Sequence, residues 1–453
     1  MLACITGRVQ GQIALSSTLD FDVSQAGLIL VTLICTSPAI LLGDGLIMQG
    51  LVAGIVAVAL AITARALRPG EAGFLVSVVR PLAVVAAVPA MWVLIQVVPL
   101  RVLPHPIWKD AETALGHPVV GTISVDPGAS VIALGQYLSV IGVVFLSAAV
   151  AVDRQRAEWI LLALTAAVVA IALITWRHDW FFPEVWRPSF TRAQAIDCVS
   201  MGTIIAGAAC IRTIERYETR RSNPQRSVPV LLWTLVACGA ALAICGAVAM
   251  FGATRETLIA TAYGIFAFIS ISIVRRFPLG AVGTAAIAAP ALGAAIVLLA
   301  YQPVERGTSV PLAFTGASDP SLIALSERVL HDAPAVGTGA GTFAALAPIY
   351  RQIDDPPPGA TAATGAAAFA IELGKPMFWL ITVAAAGAIF MLLRAALQRG
   401  RDSFYPAMGG SCLITVLLLS FNNAGLFGTA SSLIAAAAIG LAIAQSKSRT
   451  AKF

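Results

Sequence analysis

The chain has 453 residues, of which 58% are hydrophobic and only 11% are charged, and its mean hydropathy is +0.87. This polar content is too small to coat a soluble globule of such length, so the composition excludes a soluble protein and predicts a membrane-embedded one. The formal charge of +6 does not indicate a nucleic-acid partner, because in a membrane protein the placement of Lys and Arg matters more than their sum.

Apolar runs of roughly 17–25 residues, the length that crosses a bilayer as a helix, recur along the chain. None alternates in the manner of a membrane β-barrel. We therefore expect an all-α polytopic protein, a single integral membrane domain over residues 1–453 with about 12 transmembrane helices. The predicted spans are residues 26–42, 45–64, 81–99, 131–152, 159–176, 195–211, 228–251, 257–274, 279–301, 376–393, 404–421 and 424–444.

Basic residues mark one face of this predicted bundle. Connections with at least two Lys or Arg lie at residues 65–80, 153–158, 212–226, 275–276, 394–401 and in the C-terminal tail. The positive-inside rule predicts that these connections and both termini are cytoplasmic. The extracytoplasmic face is then left with two long loops, residues 100–130 and 302–375, and a shorter one at residues 177–194. The loop at 302–375 joins the ninth and tenth spans.

The loop at residues 302–375 is unusually rich in glycine, proline and charge, which membrane depth tolerates only where protein shields the backbone or water lines it. The spacing of Gly337, Gly339 and Gly341 matches neither the dinucleotide fingerprint nor a P-loop. Glycine does permit close backbone approach and leaves N–H groups accessible, which suits an anionic headgroup or a sugar. A flexible turn before an amphipathic helix at 342–352 is the alternative interpretation.

Arginines on the predicted outer face run against the usual charge distribution. Arg187 and Arg192 belong to the short outer loop, and because guanidinium groups suit bidentate contact with phosphate oxygens we expect at least one of them to bind an anion. Arg255 stands at a junction of two spans that leaves almost no room for a loop. A charge there is costly unless it is paired or hydrated, so Arg255 is a functional candidate. An ion pair with Glu256 or another acid is the alternative.

Four short motifs occur in order on this outer face. They are Trp92-x3-Gln96-x2-Pro99-Leu100, Thr254-Arg255, Pro334-x2-Gly337-x-Gly339-x-Gly341-x-Phe343 and Glu372-Leu373-Gly374-x-Pro376. With the layout of about 12 spans, their combination resembles the bacterial O-antigen ligase/polymerase superfamily, from about residue 90 to 380.

The resemblance implies a metal-independent glycosyltransferase of the bacterial inner membrane that needs no cofactor. Such a protein takes a glycan from a polyprenyl-diphosphate carrier at the outer leaflet and moves it to an acceptor glycan or glycolipid. Its partners would be these substrates, the membrane lipids and other proteins of polysaccharide assembly. No metal site is predicted from the residues either, because the seven cysteines lie mostly in apolar runs without a CxxC pair.

In such proteins outer-face arginines hold the diphosphate, and here that role would fall to Arg255 and to Arg187 or Arg192. Arg351 and the three glycines of the long loop are further substrate-binding candidates. Glycosyl transfer also needs a base for the acceptor hydroxyl, and the candidates are Glu372 and His331, although each is more often a solvated loop residue.

One departure from the family pattern is clear. Ligases of this group typically carry a His-Asn-like pair where this chain has Ala363-Thr364, so the usual base is missing. The departure favours a polymerase of exopolysaccharide or O-antigen repeats, or a ligase that uses a carboxylate such as Glu372. The interpretations from other classes are a transporter or flippase of a lipid-linked glycan or organic anion, and a catalytically silent relative. A transporter would place ionisable residues along a pathway, yet Asp197 is the only plausible acid within a span.

Overall fold

The computed structural model describes residues 25–66, 69–99, 104–181, 192–221, 228–276, 320–352, 361–399 and 402–447. It is 84% helical and has no strand in these ranges, which confirms the all-α prediction. The helices are α1 (Gln25–Leu42), α2 (Leu46–Ala66), α3 (Pro69–Val97), α4 (Ile107–Leu115), α5 (Pro127–Val150), α6 (Arg154–Phe181), α7 (Arg192–Arg221), α8 (Val228–Gly252), α9 (Arg255–Arg276), α10 (Pro320–Asp332), α11 (Phe343–Tyr350), α12 (Gly365–Glu372), α13 (Lys375–Gln398), α14 (Phe404–Ser420) and α15 (Thr429–Ala444).

Within the described ranges, nine helices are long and apolar enough to cross a bilayer, and two more, α14 and α15, are apolar but shorter. Each of these helices overlaps one of the predicted spans. The predicted span at 279–301 lies outside the described residues. The chain is therefore an all-α polytopic membrane protein, as the composition predicts.

The outward surfaces of the helices are apolar. Leu51 and Val58 on α2, Val84 on α3, and Val383 and Phe390 on α13 are each more than half exposed. A soluble protein rarely presents so much apolar surface to water. These surfaces are the ones that lipid chains would cover.

Helix α7 lies at the centre of the bundle and packs against α6, α8, α9, α14 and α15. Small residues allow this close packing: a Cβ added to Gly202 would lie only 2.8 Å from the Cβ of Val168 on α6. Similarly, Gly207 faces the ring of Phe268 on α9. Membrane helices associate through close contacts of this kind, because lipid supplies no hydrophobic driving force between them.

Polar contacts join the helix ends that the charge pattern assigns to one face. At the end predicted to be extracytoplasmic, here called the outer end, Asp44 accepts a hydrogen bond from the backbone N–H of Thr429 at 2.9 Å. At the opposite, inner end the side-chain Nε2 of Gln445 donates to the carbonyl oxygen of Ala151 at 2.6 Å. The contacts agree with the predicted alternation of the spans, while the compartment that each end faces stays a prediction.

Most of the described part of the long loop is helical. Helices α10, α11 and α12 form a small cap with its own core, in which Leu330, Phe343 and Ile371 are buried together with Phe378 of α13. Helix α11 corresponds to the amphipathic helix that the sequence predicts. The stretch can fold in spite of its glycine, proline and charge because the apolar residues of its short helices pack against one another. We refer to α10–α12 as the helical cap.

A reporter enzyme that is active only outside the cytoplasm tests the orientation. Fused after Ala340, within the region of the cap, it is expected to be active, whereas the same reporter fused after Lys447 is expected to be inactive because the positive-inside rule retains that end. Activity assays on whole cells measure both. The reverse pattern would invert the assignment of the outer and inner ends.

Candidate functional site

The glycine loop, residues 334–342, is an ordered segment that lies between two other parts of the outer end. On one side the backbone N–H of Gly339 donates to the carbonyl oxygen of Glu372 at 3.0 Å. On the other side the carbonyl oxygen of Thr338 accepts a hydrogen bond from the N–H of Val125 at 2.8 Å. The loop therefore joins the C-terminal end of α12 to the segment that precedes α5.

Two side chains from the end of α3 bind the same region. Nε2 of Gln96 donates to the carbonyl oxygens of Val336 and Glu372, each at 3.0 Å. Nε1 of Trp92 donates to the carbonyl oxygen of Leu373 at 2.9 Å. Gln96 is fully buried; its amide provides a donor for the carbonyl oxygen of Val336 and a second donor for that of Glu372, at a depth where backbone groups need partners. These contacts give the Trp92-x3-Gln96 motif a structural role.

The three glycines of the loop all have positive φ angles, +82° at Gly337, +109° at Gly339 and +72° at Gly341. Only glycine adopts this region without strain. A Cβ at Gly337 would also overlap the carbonyl oxygen of Glu372, and one at Gly339 would overlap the hydroxyl group of Ser124. The glycines thus allow protein segments to approach one another, and their contact with a ligand stays a prediction.

The carboxylate of Glu372 closes the glycine loop. Its Oε2 accepts a hydrogen bond from the N–H of Gly341 at 2.8 Å, and its Oε1 accepts one from the N–H of Phe343, the first residue of α11, at 3.3 Å. Burial raises the pKa of Glu372 to about 7, although the two N–H groups act in the opposite direction. The carboxyl group is partly buried, and each oxygen keeps a lone pair beyond the one that accepts an N–H. Such a group can take up a proton at neutral pH.

The other candidate bases have different surroundings. His331 lies in the last turn of α10 with its side chain 84% exposed, and its Nδ1 is 3.0 Å from Oδ1 of Asp332. At the position of the missing His-Asn-like pair, Thr364 is the N-cap of α12, where its Oγ1 accepts the N–H of Ala367 at 3.0 Å. Ala363 is buried as well. The residues at that position therefore stabilise the fold, and His331 is a solvated side chain.

The arginine candidates stand at helix ends. Arg255 is the first residue of α9; it is exposed and forms no hydrogen bond or ion pair with any residue of the described ranges, Glu256 included. Adjacent residues on a helix do not face each other. Arg192, the first residue of α7, is also exposed, and it too forms no hydrogen bond or ion pair with a residue of the described ranges. Arg351 is exposed directly after α11, and Arg187 lies outside the described residues.

A turn between α14 and α15, residues 421–428, connects the elements that carry these candidates. We refer to it as the asparagine turn. Nδ2 of Asn422 donates to Oγ1 of Thr257 at 2.5 Å, in the first turn of α9. The carbonyl oxygen of Asn423 accepts the N–H of Gly365 at 2.9 Å, at the start of α12. The turn thereby fixes the start of the Arg255 helix relative to the helix that ends at Glu372.

Two carboxylates form hydrogen bonds with the asparagine turn and with the first residue of α15, which follows it. Asp197 is fully buried on α7, and its Oδ1 accepts a hydrogen bond from Nδ2 of Asn423 at 3.0 Å. Its Oδ2 has no partner among the described residues and lies against Gly425. Asp44 accepts hydrogen bonds from both the N–H and the hydroxyl group of Thr429, at 2.9 and 2.6 Å. Asp197 lies close to the outer end of α7, about 7.5 Å along the helix from Arg192, its first residue.

The structure brings Gly337, Gly339, Gly341 and Glu372 into one contact network. The exposed arginines that begin α7 and α9 lie at the same end of the bundle, but no ion pair or hydrogen bond in the described ranges joins them to Glu372. His331 stands apart on the solvated face of the cap.

Sequence reasoning missed Asn422, Asn423 and Asp44. The signal that would have found the asparagines is the one that singled out Arg255: polar residues at a junction of two apolar spans that is too short for a free loop. Buried polar groups at such a junction must be hydrogen-bonded, so an Asn-Asn pair there predicts contacts with neighbouring helix ends.

Replacing Gly374 with Ala tests the packing of the glycine loop. Gly374 has a φ of +90°, and a Cβ there would overlap the carbonyl oxygen of Ala335. We expect Gly374→Ala to lower the free energy of unfolding by about 2 kcal/mol or more. Gly387→Ala is the matched control, since a Cβ at this position in α13 meets nothing within 4 Å; it should leave stability unchanged or slightly higher. Thermal unfolding in detergent compares them, and equal effects would contradict the packing.

The raised pKa of Glu372 predicts a dependence of stability on pH. This carboxyl group ionises near its ordinary value of 4.5 in the unfolded chain and at about 7 in the folded one. The folded state holds the proton more tightly, so the contribution to stability is complete below pH 4.5 and is lost as the pH rises to about 7. Its size is on the order of 3 kcal/mol at most.

The side chain in Glu372→Gln cannot ionise, so this variant should lack the pH dependence. The melting temperature of the wild type relative to that of the variant should therefore fall between about pH 4.5 and 7 and stay level above pH 7. The exposed Glu112 on α4 supplies the control, Glu112→Gln, which should keep the wild-type slope. An unchanged slope in Glu372→Gln would show that this carboxyl group does not titrate as described.

A comparison with protein-family models and a comparison with curated proteins both find no match for this chain.

Proposed function

We propose that this protein transfers a saccharide from a polyprenyl-diphosphate carrier to an acceptor sugar at the outer end of the bundle, as a polymerase or ligase of an exopolysaccharide or O-antigen. The observation that carries the proposal is the presence of a carboxylate and two arginines at the same end of the bundle. A partly buried carboxylate whose pKa is about 7 and two exposed arginines without partners in the described ranges are attached to one hydrogen-bonded framework.

The carboxylate supplies one half of the chemistry. In the transfer, the acceptor hydroxyl oxygen forms a bond to the anomeric carbon, the bond from that carbon to the carrier diphosphate breaks, and the hydroxyl proton passes to a base. Glu372 has the pKa of a base at neutral pH. Its fixed hydrogen bonds to Gly341 and Phe343 hold it in one orientation, which is what aiming at a hydroxyl group requires.

The arginines supply the other half. The departing diphosphate carries the negative charge that develops in the reaction, and preorganised cations at that position lower the barrier. Arg255 and Arg192 are exposed, lack partners in the described ranges and begin helices at the outer end, so their charge is available to a ligand. Arg351 and Arg187 are further candidates for the same role.

The asparagine turn supports a shared site. It binds the start of α9 through Asn422 and the start of α12 through Asn423. Phe369 on α12 also contacts Phe427 of the turn, with ring centroids 5.2 Å apart, and Glu372 lies about one helical turn further along. The arginine helix and the carboxylate helix are therefore attached to the same short segment.

A transporter or flippase of a lipid-linked glycan or organic anion is the second candidate. The observation that favours it is Asp197, a fully buried acid on a spanning helix with one oxygen that lacks a partner in the described part of the chain. Transport pathways place such acids within the membrane. Asp197 lies near the outer end, however, and its position beneath the asparagine turn gives it a structural role.

Replacing Arg255 with Ala tests the proposed site. We expect Arg255→Ala to lower the rate of polymer formation by about 100-fold or more, because a cation at the leaving group typically lowers the activation barrier by several kcal/mol. The assay uses purified protein and a synthetic polyprenyl-diphosphate repeat unit, and gel electrophoresis resolves the products. Arg394→Ala, an exposed arginine at the inner end of α13, is the matched control and should retain wild-type activity.

The same assay separates the proposals. A ladder of products indicates a polymerase, a single addition to a lipid acceptor indicates a ligase, and movement of the carrier across liposomes without new glycosidic bonds indicates a transporter. Wild-type product from Arg255→Ala would remove this residue from the site. An activity abolished by chelators would contradict the metal-independent reaction.

A further inference from the structure

The inner end of the bundle contains a charged cluster that the proposed glycan site does not use. It draws on helices α6 and α7, on the residue that follows α13 and on the residues just before and at the start of α14. Its charged members are Arg154, Glu158, Arg212, Arg216, Arg399 and Asp402. Among the residues that the structure describes, the cluster thus contains four guanidinium groups and two carboxylates.

Ion pairs account for part of this charge. Glu158 forms an ion pair with Arg212, whose Nη2 lies 2.7 Å from Oε2 of Glu158, and it also pairs with Arg216. Arg154 pairs with Asp402, again at 2.7 Å. The side chains of Glu158 and Arg212 are only 11% and 10% exposed, so the first pair lies inside the protein. Counted over the described residues of the cluster, positive charge exceeds negative charge around this pair.

Tyr405 lies at the base of this cluster. It is 1% exposed, and it interacts electrostatically with Arg212, Glu158, Asp402 and Arg154. Its hydroxyl oxygen is buried without a hydrogen-bond partner among the described residues. A buried polar group without a partner costs stability, so each instance in a folded protein requires an explanation.

A second donor in the same place also lacks a partner. Nε of Arg212 is buried and makes no hydrogen bond to the described residues. Charges that merely set the orientation of a membrane protein are solvated loop residues, whereas Arg212 is a buried side chain on the central helix. Two buried donors beside several arginines therefore have no acceptor in the described part of the chain, and an anion is the kind of group that such surroundings favour.

The cluster is open on one side. The side chains of Arg154 and Arg216 are 53% and 40% exposed, so the cluster borders solvent at these two residues. Basic pockets between helices on this face of a membrane protein recognise phosphate-bearing headgroups. Arginine suits such a ligand because its planar donors match the geometry of phosphate oxygens.

We propose that the inner-end cluster binds a phosphate-bearing anion, with the hydroxyl group of Tyr405 and Nε of Arg212 donating to its oxygens and with Arg154 and Arg216 at its entrance. The ligand is either the headgroup of an anionic phospholipid or free phosphate. The site lies at the end of the bundle opposite to Arg255, so it does not depend on the proposed transferase activity.

Titration of the full-length protein in a neutral detergent tests the site. The three probes are a short-chain phosphatidylglycerol, a short-chain phosphatidylcholine and inorganic phosphate, with native mass spectrometry and calorimetry as readouts. Saturable binding of phosphatidylglycerol, with weak binding of phosphate, identifies a lipid headgroup site. Comparable binding of inorganic phosphate alone identifies a free-phosphate site. Equal binding of phosphatidylcholine and phosphatidylglycerol, or no saturable binding of any probe, overturns the proposal.

Tyr405→Phe distinguishes a binding site from a structural cluster. The hydroxyl group has no partner to lose in the described ranges, so its removal should leave the melting temperature of the ligand-free protein unchanged or higher. Affinity for the bound anion should fall about tenfold or more, as expected for loss of a hydrogen bond to a charged group. Wild-type affinity in this variant would overturn the assignment of Tyr405.

Two further variants complete the experiment. Tyr137→Phe is the matched control, because its hydroxyl group donates to the carbonyl oxygen of Ala86 at 2.8 Å; it should lower stability in every lipid and leave the affinity for the anion unchanged. Arg154→Gln removes the exposed guanidinium group at the entrance together with its ion pair to Asp402, and it should weaken binding even if Tyr405→Phe does not fold. Unchanged affinity in Arg154→Gln would remove that residue from the site.

Discussion

The hydrogen bonds of the Gln96 amide are the contact on which the outer end depends. One side chain at the end of α3 binds carbonyl oxygens of Val336 and Glu372, which follow it by 240 and 276 residues. The glycine loop, the end of α12 and the end of α3 meet there, away from bulk water, where each unsatisfied backbone group is costly. The glycines of the loop follow from the same constraint, because only a backbone without Cβ atoms can approach Glu372 and Ser124 so closely.

This constraint explains what the sequence could predict about the fold. A spanning helix forms all of its backbone hydrogen bonds within one segment of the chain. Segment length and hydropathy were therefore enough to locate α2, α5 and α13 to within a few residues. The cap was harder, because α11 and α12 have 8 residues each and depend on mutual burial of residues such as Phe343 and Ile371. Helices of this length are not stable alone, and their contacts are distant in sequence.

The same difference applies to the candidate site. The sequence singled out Glu372 and Arg255 because each is a charge where an apolar segment begins or ends. It did not predict that Glu372 would accept the N–H groups of Gly341 and Phe343, since that contact depends on how the cap folds. Nor did it predict the asparagine turn, whose two side chains reach α9 and α7. Residue type indicated where polar groups lie, while their partners required the packing of helices.

The position of the absent His-Asn-like pair now has a physical account. Thr364 uses its hydroxyl group to cap α12, and Ala363 donates its N–H to the hydroxyl group of Ser326 at 2.9 Å. Both residues are buried, so this segment holds α12 against α10 and has no side chain that could act as a base. The N-cap hydrogen bond of Thr364 fixes the start of α12, whose last residue is Glu372. In the reaction proposed here, Ala363-Thr364 therefore contributes through the placement of Glu372, the candidate base at the other end of α12.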